Sequence, residues 1–322
     1  MKCFAKIRLP GLVLVCLLWF FFLSASVRAS EADAWQPERS ISANLILSRN
    51  IRPYMEAAEA IRAALTESLK ADIHVYELFR YQGKARETLA SELAAKEPGS
   101  LCIAIGPEAA AFLWEAVNLP EAIKLYSIVL NPENVSPDIA PDCGVSLNIP
   151  PSVQLAAISR SLSDARRIGM FYDPKNNAEF FARAERAADL QGLRLVPLQV
   201  SAKKEIPDVF SAAIRELDAI WLIPDQTVVS ESIAQYIIKQ SILQGVPVVG
   251  YNQFFYNSGA AVAFVFDYAE LGRQTARMAI NRLQTGKCRY HIPDFEVWIN
   301  QSVFKKLEIP PPVLDKPLMG GP

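Results

Sequence analysis

The sequence predicts two α/β lobes, each a doubly wound parallel sheet, with a hinge and a cleft between them. Short apolar runs of strand length alternate with longer segments of helical period along most of the chain. The alternation restarts near Pro150-Pro151. A chain of 322 residues is also too long for one ordinary core and suits two domains.

The first 29 residues have the layout of a secretory signal peptide. An apolar run at 9–23 leads to Val27-Arg28-Ala29, which places small residues at the −3 and −1 positions of a cleavage site before Ser30. The basic residues before the run are Lys2, Lys6 and Arg8. We therefore expect export to the periplasm and a mature chain that starts at Ser30.

Two other outcomes are open at this end of the chain. An uncleaved membrane anchor would need about 20 apolar residues, which exceeds the run at 9–23. A lipid on Cys16 would need a small residue before it, where the chain has Val15. Both alternatives are less favoured than cleavage.

The charge of the chain bears on its possible partners, and its cysteines bear on disulfide formation. Acidic and basic residues nearly balance, at 34 and 33. The balance becomes acidic once the basic signal is removed, so we expect no nucleic-acid partner. We also expect the protein to be a monomer. Cys102 fits a buried strand, whereas Cys143 and Cys288 either form a disulfide or remain two free thiols.

The first lobe is expected at 40–147. Its apolar runs and the helical segments that follow them predict alternating strands and helices, because runs that are apolar throughout suit strands buried on both faces of a parallel sheet. The strands are expected at 44–47, 73–78, 101–105 and 125–130, and the helices at 53–70, 84–96 and 108–118.

The second lobe is expected at 148–266, with a C-terminal helix and crossover segment near the hinge at 267–309. The tail at 310–322 is rich in Pro and Gly, and we expect it to be disordered. Strands are expected at 167–172, 193–200, 219–223, 246–249, 261–266 and 296–300, and helices at 152–162, 178–191, 206–216, 230–244, 268–284 and 302–307.

Catalytic and metal-binding motifs are missing from the sequence. It contains no GxSxG elbow, no P-loop and no HExxH. The histidines are His74 and His291, and no CxxC spacing accompanies them. We therefore expect no enzymatic activity, no metal and no cofactor.

Loops that follow the strands of the first lobe supply candidate ligand contacts, because ligands of open α/β sheets bind at the carboxyl ends of the strands. Ser48 and Asn50 follow the first strand. Gly106, Pro107 and Glu108 open a helix whose N–H groups could receive a carboxylate. The alternative is a plain helix start with proline in its first turn.

The second lobe offers carboxylate, amide and tyrosine groups at four strand ends. A carboxylate there could pair with an ammonium group, amides could hydrogen-bond, and a tyrosine ring could supply a flat apolar wall. For an isolated aspartate the simpler interpretation is a helix N-cap. The candidates are Tyr172, Asn176, Asn177, Asp225, Gln226, Thr227, Tyr251, Asn252 and Asp267.

The segment 143–309 resembles the ABC transporter substrate-binding family that includes tryptophan- and tyrosine-binding lipoproteins. The clearest matches are Tyr172-Asp173-Pro174, Pro224-Asp225-Gln226-Thr227-Val228 and Asp267-Tyr268-Ala269-Glu270-Leu271-Gly272-Arg273-Gln274. In the first lobe only the segment around Gly106-Pro107-Glu108 matches. The resemblance implies a type I periplasmic-binding fold that closes on a small ligand, often an aromatic or branched amino acid.

Three loops carry the functional part of this resemblance. Asp225, Gln226 and Thr227 look like the family's Asp-Asn-Thr loop, which faces the ligand, although Gln226 replaces the usual Asn. Asn176 and Asn177 look like an altered Asn-Ser turn. The first loop, Ser48-Arg49-Asn50, does not match the family's usual sequence.

Compartment, fold and resemblance together predict a periplasmic solute-binding protein of an ABC importer. Its partners would be a small polar or amino-acid-like ligand and a permease in the inner membrane. The alternative is a ligand-sensing subunit that reports to a membrane kinase or an export complex. A secreted enzyme is the least favoured class.

Overall fold

A computed structural model describes residues 41–96, 99–118, 122–228, 230–310 and 312. The expected signal peptide and its cleavage before Ser30 lie outside these residues, as does most of the expected tail. Every helix in the described ranges is too short or too polar to span a bilayer. These ranges also bring together no group of three or more His, Cys, Asp or Glu side chains suited to a metal ion.

The first lobe is built on a parallel sheet with the strand order β2-β1-β3-β4-β5. Its described strands are β1 (Ser42–Leu47), β2 (Asp72–Glu77), β3 (Leu101–Ile105), β4 (Ile123–Val129) and β5 (Gly144–Ser146). Its described helices are α1 (Arg52–Leu69), α2 (Lys84–Ala94), α3 (Pro107–Ala111), which continues into a π-helical turn at Phe112–Ala116, and the short α4 (Pro132–Val135). A 3₁₀ turn at Leu78–Arg80 follows β2.

Both faces of this sheet are covered, as the apolar runs predicted. All five residues of β3 are buried. On one face, Ile61 and Leu65 of α1 pack into a core with Leu45. On the other face, Leu93 of α2 shares a second core with Ile46. Neighbouring residues of β1 thus point to opposite faces, which is the pattern of a strand buried on both sides.

The second lobe has the strand order β11-β10-β9-β8-β6-β7, parallel except for β11 at the edge. Its described strands are β6 (Arg167–Tyr172), β7 (Arg194–Gln199), β8 (Ala219–Trp221), β9 (Val248–Gly250), β10 (Val262–Val265) and β11 (Glu296–Ile299). Its described helices are α5 (Pro151–Ser161), α6 (Pro174–Leu190), α7 (Ile206–Ala213), α8 (Glu231–Leu243), α9 (Gln253–Asn257) and α11 (Gln301–Lys306), with 3₁₀ turns at Lys203–Glu205 and Ile214–Glu216.

The remaining long helix, α10 (Tyr268–Thr285), follows the last parallel strand of the second lobe but packs against α1 of the first. A Cβ at Gly272 would lie 2.5 Å from the carbonyl oxygen of Ala57, so only glycine permits this approach. Buried Ser127 of β4 and Thr275 of α10 share a hydrogen bond of 2.8 Å. The C-terminal segment expected at 267–309 is therefore divided between the lobes, because β11 returns to the second sheet.

Three stretches connect the lobes, at 147–150, 266–267 and 286–295. Cys143 precedes β5 and Cys288 lies in the third connection, and the two form a disulfide. The structure thus selects pairing over two free thiols for these residues, while Cys102 is buried and free. This disulfide joins the residue before β5, the strand that leads into the first connection, to the third connection.

Candidate functional site

A cavity of about 550 Å³ lies between the lobes beside these connections. Its wall includes the carboxyl ends of strands in both lobes: Leu130 follows β4, Ile223 follows β8 and Tyr251 follows β9. The first connection contributes Asn148 and Ile149. This volume falls within the range of small-molecule sites, and its position is the one that open parallel sheets use for ligands.

Five of the described residues that line the cavity are aromatic. Phe180 of α6 leans on buried Trp221, with ring centroids 5.9 Å apart. Tyr251 packs on Phe255 at 4.4 Å. The other rings on the wall are Phe266, Tyr268 and Tyr290. Such a wall favours a ligand with a flat apolar part.

Side-chain amides supply the polar groups of the wall. The Oδ1 atom of Asn148 accepts the main-chain N–H of Asn131 at 3.2 Å, and Oδ1 of Asn252 accepts that of Phe255 at 3.3 Å. Within the described residues, the Nδ2 groups of Asn148 and Asn252 have no protein hydrogen bond, so they are available as donors to a ligand. Arg183 of α6 lies at the rim and pairs with Glu179 at 2.6 Å.

Asn177 reaches the wall through a local distortion of α6. Its φ and ψ of −132° and 21° depart from helical values inside the helix. Its Nδ2 group donates to the carboxylate of Asp225 at 2.8 Å. The amide is therefore fixed at the cavity by a partner beneath it, and its Oδ1 atom is left for a ligand or water.

The carboxylate of Asp225 is buried and holds neighbouring loops together through hydrogen bonds. Only 3% of the residue is exposed. Its Oδ1 atom accepts the main-chain N–H groups of Thr227 at 2.8 Å and Val228 at 3.2 Å. Its Oδ2 atom accepts the main-chain N–H of Asp173 at 2.8 Å, besides the amide of Asn177. Both oxygens are thus occupied, and Asp225 does not line the cavity. In this structure Asp225 supports the loops behind the wall, and its pairing with an ammonium group stays a prediction.

The other residues of the two second-lobe loops also lie behind or beside the wall. Thr227 donates its hydroxyl to Asp173 at 2.6 Å, and this bond is the largest cause of the lowered pKa of the Asp173 carboxyl. Gln226 and Asn176 are exposed and outside the cavity wall. Tyr172 is buried and stacks on Phe181 at 4.4 Å.

Asp267 is the N-cap of α10. Its Oδ1 atom accepts the main-chain N–H of Glu270 at 3.0 Å. Its two neighbours in the chain, Phe266 and Tyr268, line the cavity, but Asp267 does not. The capping interpretation therefore accounts for this carboxylate. The residue selected from the sequence, Asp267, lies next to two residues that line the cavity.

The first-lobe loops form a smaller hollow of about 240 Å³ rather than part of the main cavity. The hydroxyl of Ser48 accepts the main-chain N–H of Ala109 at 2.8 Å, so the start of α3 already has an acceptor where a ligand carboxylate was expected. Glu108 pairs with Arg49 at 2.6 Å. Burial would raise the pKa of Glu108, but its own main-chain N–H and Arg49 hold the pKa below its usual value.

Glycine is required at the start of α3. Gly106 has a φ of +89°, and a Cβ there would lie 2.6 Å from the ring of Tyr54 and 2.7 Å from the Ser48 hydroxyl. Pro107 follows it at the first turn of α3. Asn50 is exposed and donates to Glu77 at 3.5 Å, at the edge of this lobe.

Two tyrosines of the main cavity keep their protons at neutral pH. Burial, and secondarily the charge of Asp225, raises the pKa of Tyr251 to about 12. Burial, and then the carboxylate of Glu56, raises the pKa of Tyr268. Both phenols are therefore neutral groups that can donate or accept hydrogen bonds.

Of the residues selected from the sequence, Asn177, Tyr251 and Asn252 line the cavity. Asn148 lies two residues before Pro150-Pro151, where the alternation of strands and helices restarts, and it belongs to the first connection between the lobes. Other wall residues that were not selected include Asn131, in the loop after β4, and Phe180, Arg183 and Tyr290, which lie on a helix and in an irregular connection where the strand-end rule does not apply.

Solved structures of the same architecture come from several bacteria. The ligand-free, open structure of a substrate-binding protein with adhesive properties from Clostridium difficile has a TM-score of 0.68 at 18% identity, covering 85% of this chain and 97% of that one. An ABC domain in complex with L-Trp from Streptococcus pneumonia has a TM-score of 0.53 at 19% identity, covering 84% and 96%. A periplasmic ribose ABC transporter from Conexibacter woesei has 0.52 at 17%, covering 84% and 95%.

These likenesses confirm the predicted fold, that of the type I periplasmic binding proteins. No curated protein sequence matches the chain significantly. The sequence profile described as "ABC transporter substrate binding protein" matches residues 87–313, which is well over half of the chain. The resemblance seen in the sequence is thereby confirmed, and the chain belongs to the ABC transporter substrate-binding protein family.

Proposed function

We propose that this protein is the periplasmic receptor of an ABC importer and carries a small, flat, amino-acid-like molecule between its lobes. The observation that carries the proposal is the cavity of about 550 Å³ with its aromatic wall. Its location beside the three connections means that rotation of the lobes would enclose a bound molecule, in the hinge closure typical of binding proteins.

The wall supports a ligand with one planar face and a few polar atoms. Phe180 and Tyr251 offer aromatic rings, and the amides of Asn148 and Asn252 offer N–H donors. Arg183 at the rim suits a carboxylate, because its exposed ion pair with Glu179 is weak and easily exchanged. An aromatic amino acid, the class bound in the pneumococcal complex, has these features.

The ammonium group of such a ligand would be held differently from what the sequence suggested. Asp225 has both oxygens occupied by the protein. We propose instead that the ammonium group donates to neutral acceptors, namely Oδ1 of Asn177 and the phenol oxygen of Tyr251. Neutral acceptors bind less strongly than a carboxylate, so the aromatic contacts would supply much of the affinity.

The test uses protein purified from its own periplasm. Native mass spectrometry identifies any retained molecule, and calorimetry measures the binding of L-tryptophan, L-tyrosine, L-phenylalanine and the aromatic acids that lack the ammonium group. We expect a retained small molecule or micromolar binding of at least one compound. No retained mass together with no binding would contradict the proposal.

A matched pair of variants locates the site. Ala187→Trp places a large ring into the cavity wall and should abolish binding. Ala178→Trp adds the same ring to the same helix at an exposed position outside the wall and should leave binding intact. Equal binding by both variants would place the ligand elsewhere.

The proposed roles in transport and export are tested by an uptake assay and by determination of the N-terminus. Cells without this protein should take up the identified compound more slowly, and unchanged uptake with altered gene expression would favour the sensing alternative. The exported protein should begin at Ser30. An intact Met1, or a lipid on Cys16, would contradict periplasmic release.

A further inference from the structure

We infer that Tyr290 is a ligand-binding residue of the inter-lobe cavity and that the Cys143–Cys288 disulfide positions it there. The inference rests on the proposed function, because it assigns a wall residue of the same cavity. Tyr290 belongs to none of the loops that sequence reasoning selected.

Tyr290 is an exposed aromatic ring on the wall of a cavity. The residue is 51% exposed, yet it lines the same space as Tyr251 and Phe266. A large ring left in water at the mouth of an apolar cavity gains free energy when a ligand covers it. The exposed ring of Tyr290 is therefore free to make a contact that only a bound ligand would complete.

Secondary structure does not hold this ring in place. The third connection, at 286–295, forms neither helix nor strand, so no regular hydrogen-bond ladder fixes Tyr290. On the C-terminal side, Gln274 of α10 anchors the connection: it donates to the carbonyl of Ile292 at 2.8 Å and accepts the main-chain N–H of Asp294 at 3.1 Å. On the N-terminal side, the disulfide at Cys288 is the covalent anchor, next to two long hydrogen bonds between Lys287 and Thr285 at the end of α10.

The disulfide ties this connection to a rigid part of the first lobe. The carbonyl of Cys143 accepts the main-chain N–H of Tyr126 in β4 at 3.3 Å, and β5 begins at the next residue. From β5 the chain runs into the first connection, where Asn148 and Ile149 line the same cavity. One covalent link therefore sets the spacing between the wall residues of two connections.

The experiment is a double-mutant cycle with 1-anilinonaphthalene-8-sulfonate, an aromatic anion that fluoresces in apolar cavities. We expect Tyr290→Ala to weaken its binding about fivefold to tenfold, the effect of losing one aromatic contact. The pair Cys143→Ser with Cys288→Ser should weaken binding by a similar factor. The combined triple variant should lose no more than either, because the disulfide acts on the ligand through Tyr290.

Thermal unfolding separates this positioning role from simple stabilisation. The double serine variant is expected to melt earlier, whereas Tyr290→Ala should melt close to the parent, since its ring is half exposed. Tyr290→Phe keeps the ring and should keep the affinity. Leu243→Ala, which removes an exposed apolar side chain outside the cavity, should change neither quantity.

Three results would overturn the inference. One is a double serine variant that melts earlier but binds the dye as tightly as the parent. Another is a triple variant whose loss equals the product of the two separate losses. The third is a parent protein whose dye binding is absent or insensitive to Ala187→Trp. In each case the proposed function is still judged separately, by mass spectrometry and by the amino-acid panel.

Discussion

The side-chain amide of Asn177 donates to the carboxylate of Asp225 at 2.8 Å, which joins a residue of the cavity wall to a buried charge beneath it. The same carboxylate accepts three main-chain N–H groups from the two loops that follow β6 and β8. One aspartate therefore sets the positions of both loops at the carboxyl edge of the second sheet.

Replacement of Asp225 should damage the fold and the site together. Asp225→Ala leaves three main-chain donors, two of them buried, without their acceptor, and it leaves the Asn177 amide with only a longer bond to the carbonyl of Pro224. At about 1–3 kcal/mol for each unsatisfied group, we expect the free energy of unfolding to fall by at least about 3 kcal/mol. Chemical denaturation measures this loss. A loss below about 1 kcal/mol would show that water replaces the carboxylate and that the support role is wrong.

Asp267→Ala provides the contrasting case. Because Asp267 caps α10 and does not line the cavity, the variant should lose about 1 kcal/mol of unfolding free energy and keep its affinity for the retained compound. Calorimetry and melting curves on the same preparation measure both. A variant that folds like the parent but no longer binds would return Asp267 to the ligand site.

Thiol counting tests the disulfide. In mature protein that is unfolded without reductant, an alkylating reagent should modify one cysteine, Cys102, and after reduction it should modify three. Replacing Cys143 and Cys288 by serine should lower the free energy of unfolding by about 2–5 kcal/mol, because the bond restricts the unfolded chain over a long loop. Three modified cysteines before reduction would exclude the bond.

Acid should weaken the fold partly through Asp218. Burial opposes its ionisation, but the main-chain N–H groups of Arg167 and Arg166 hold its pKa below the usual value. A depressed pKa in the folded state stabilises the fold above the ordinary aspartate value of about 3.9, and this contribution disappears as the pH falls through the folded pKa. Asp218→Asn should therefore cost stability at pH 7 and much less at pH 3.

A matched aspartate controls this measurement. Asp189 lies exposed near the end of α6, and Asp189→Asn should change the unfolding free energy less than Asp218→Asn at pH 7. Urea unfolding of both variants across pH 3 to 7 gives the comparison. A cost of Asp218→Asn that stays constant across this range would contradict the linkage.

Much of the fold followed from the sequence because strand burial leaves a local signal. The strand predicted at 101–105 is β3, since every residue of it is apolar and buried on both faces. The start of α6 was placed four residues too late, because Asp173-Pro174 was interpreted as loop. Aspartate at the N-cap with proline at the first position is a helix start, and the structure shows it as one.

The position of α10 could not be predicted from its sequence period. Its apolar face shows that it packs against something, but the partner, α1 of the other lobe, is set by the close approach at Gly272. Prediction of the cavity residues from the sequence was limited for a similar reason. The strand-end rule found Tyr251 and Asn252, whereas Phe180 and Tyr290 reach the cavity from a helix face and from an irregular connection.

The most direct test of the account is a crystal structure of the exported protein with its retained molecule or with the tightest binder of the amino-acid panel. We predict electron density for one molecule in the cavity between the lobes, with a planar group against Phe180 and Tyr251 and polar atoms within hydrogen-bond distance of Asn148, Asn177 or Asn252. Density in the first-lobe hollow beside Arg49, or a ligand charge paired directly with Asp225, would contradict it.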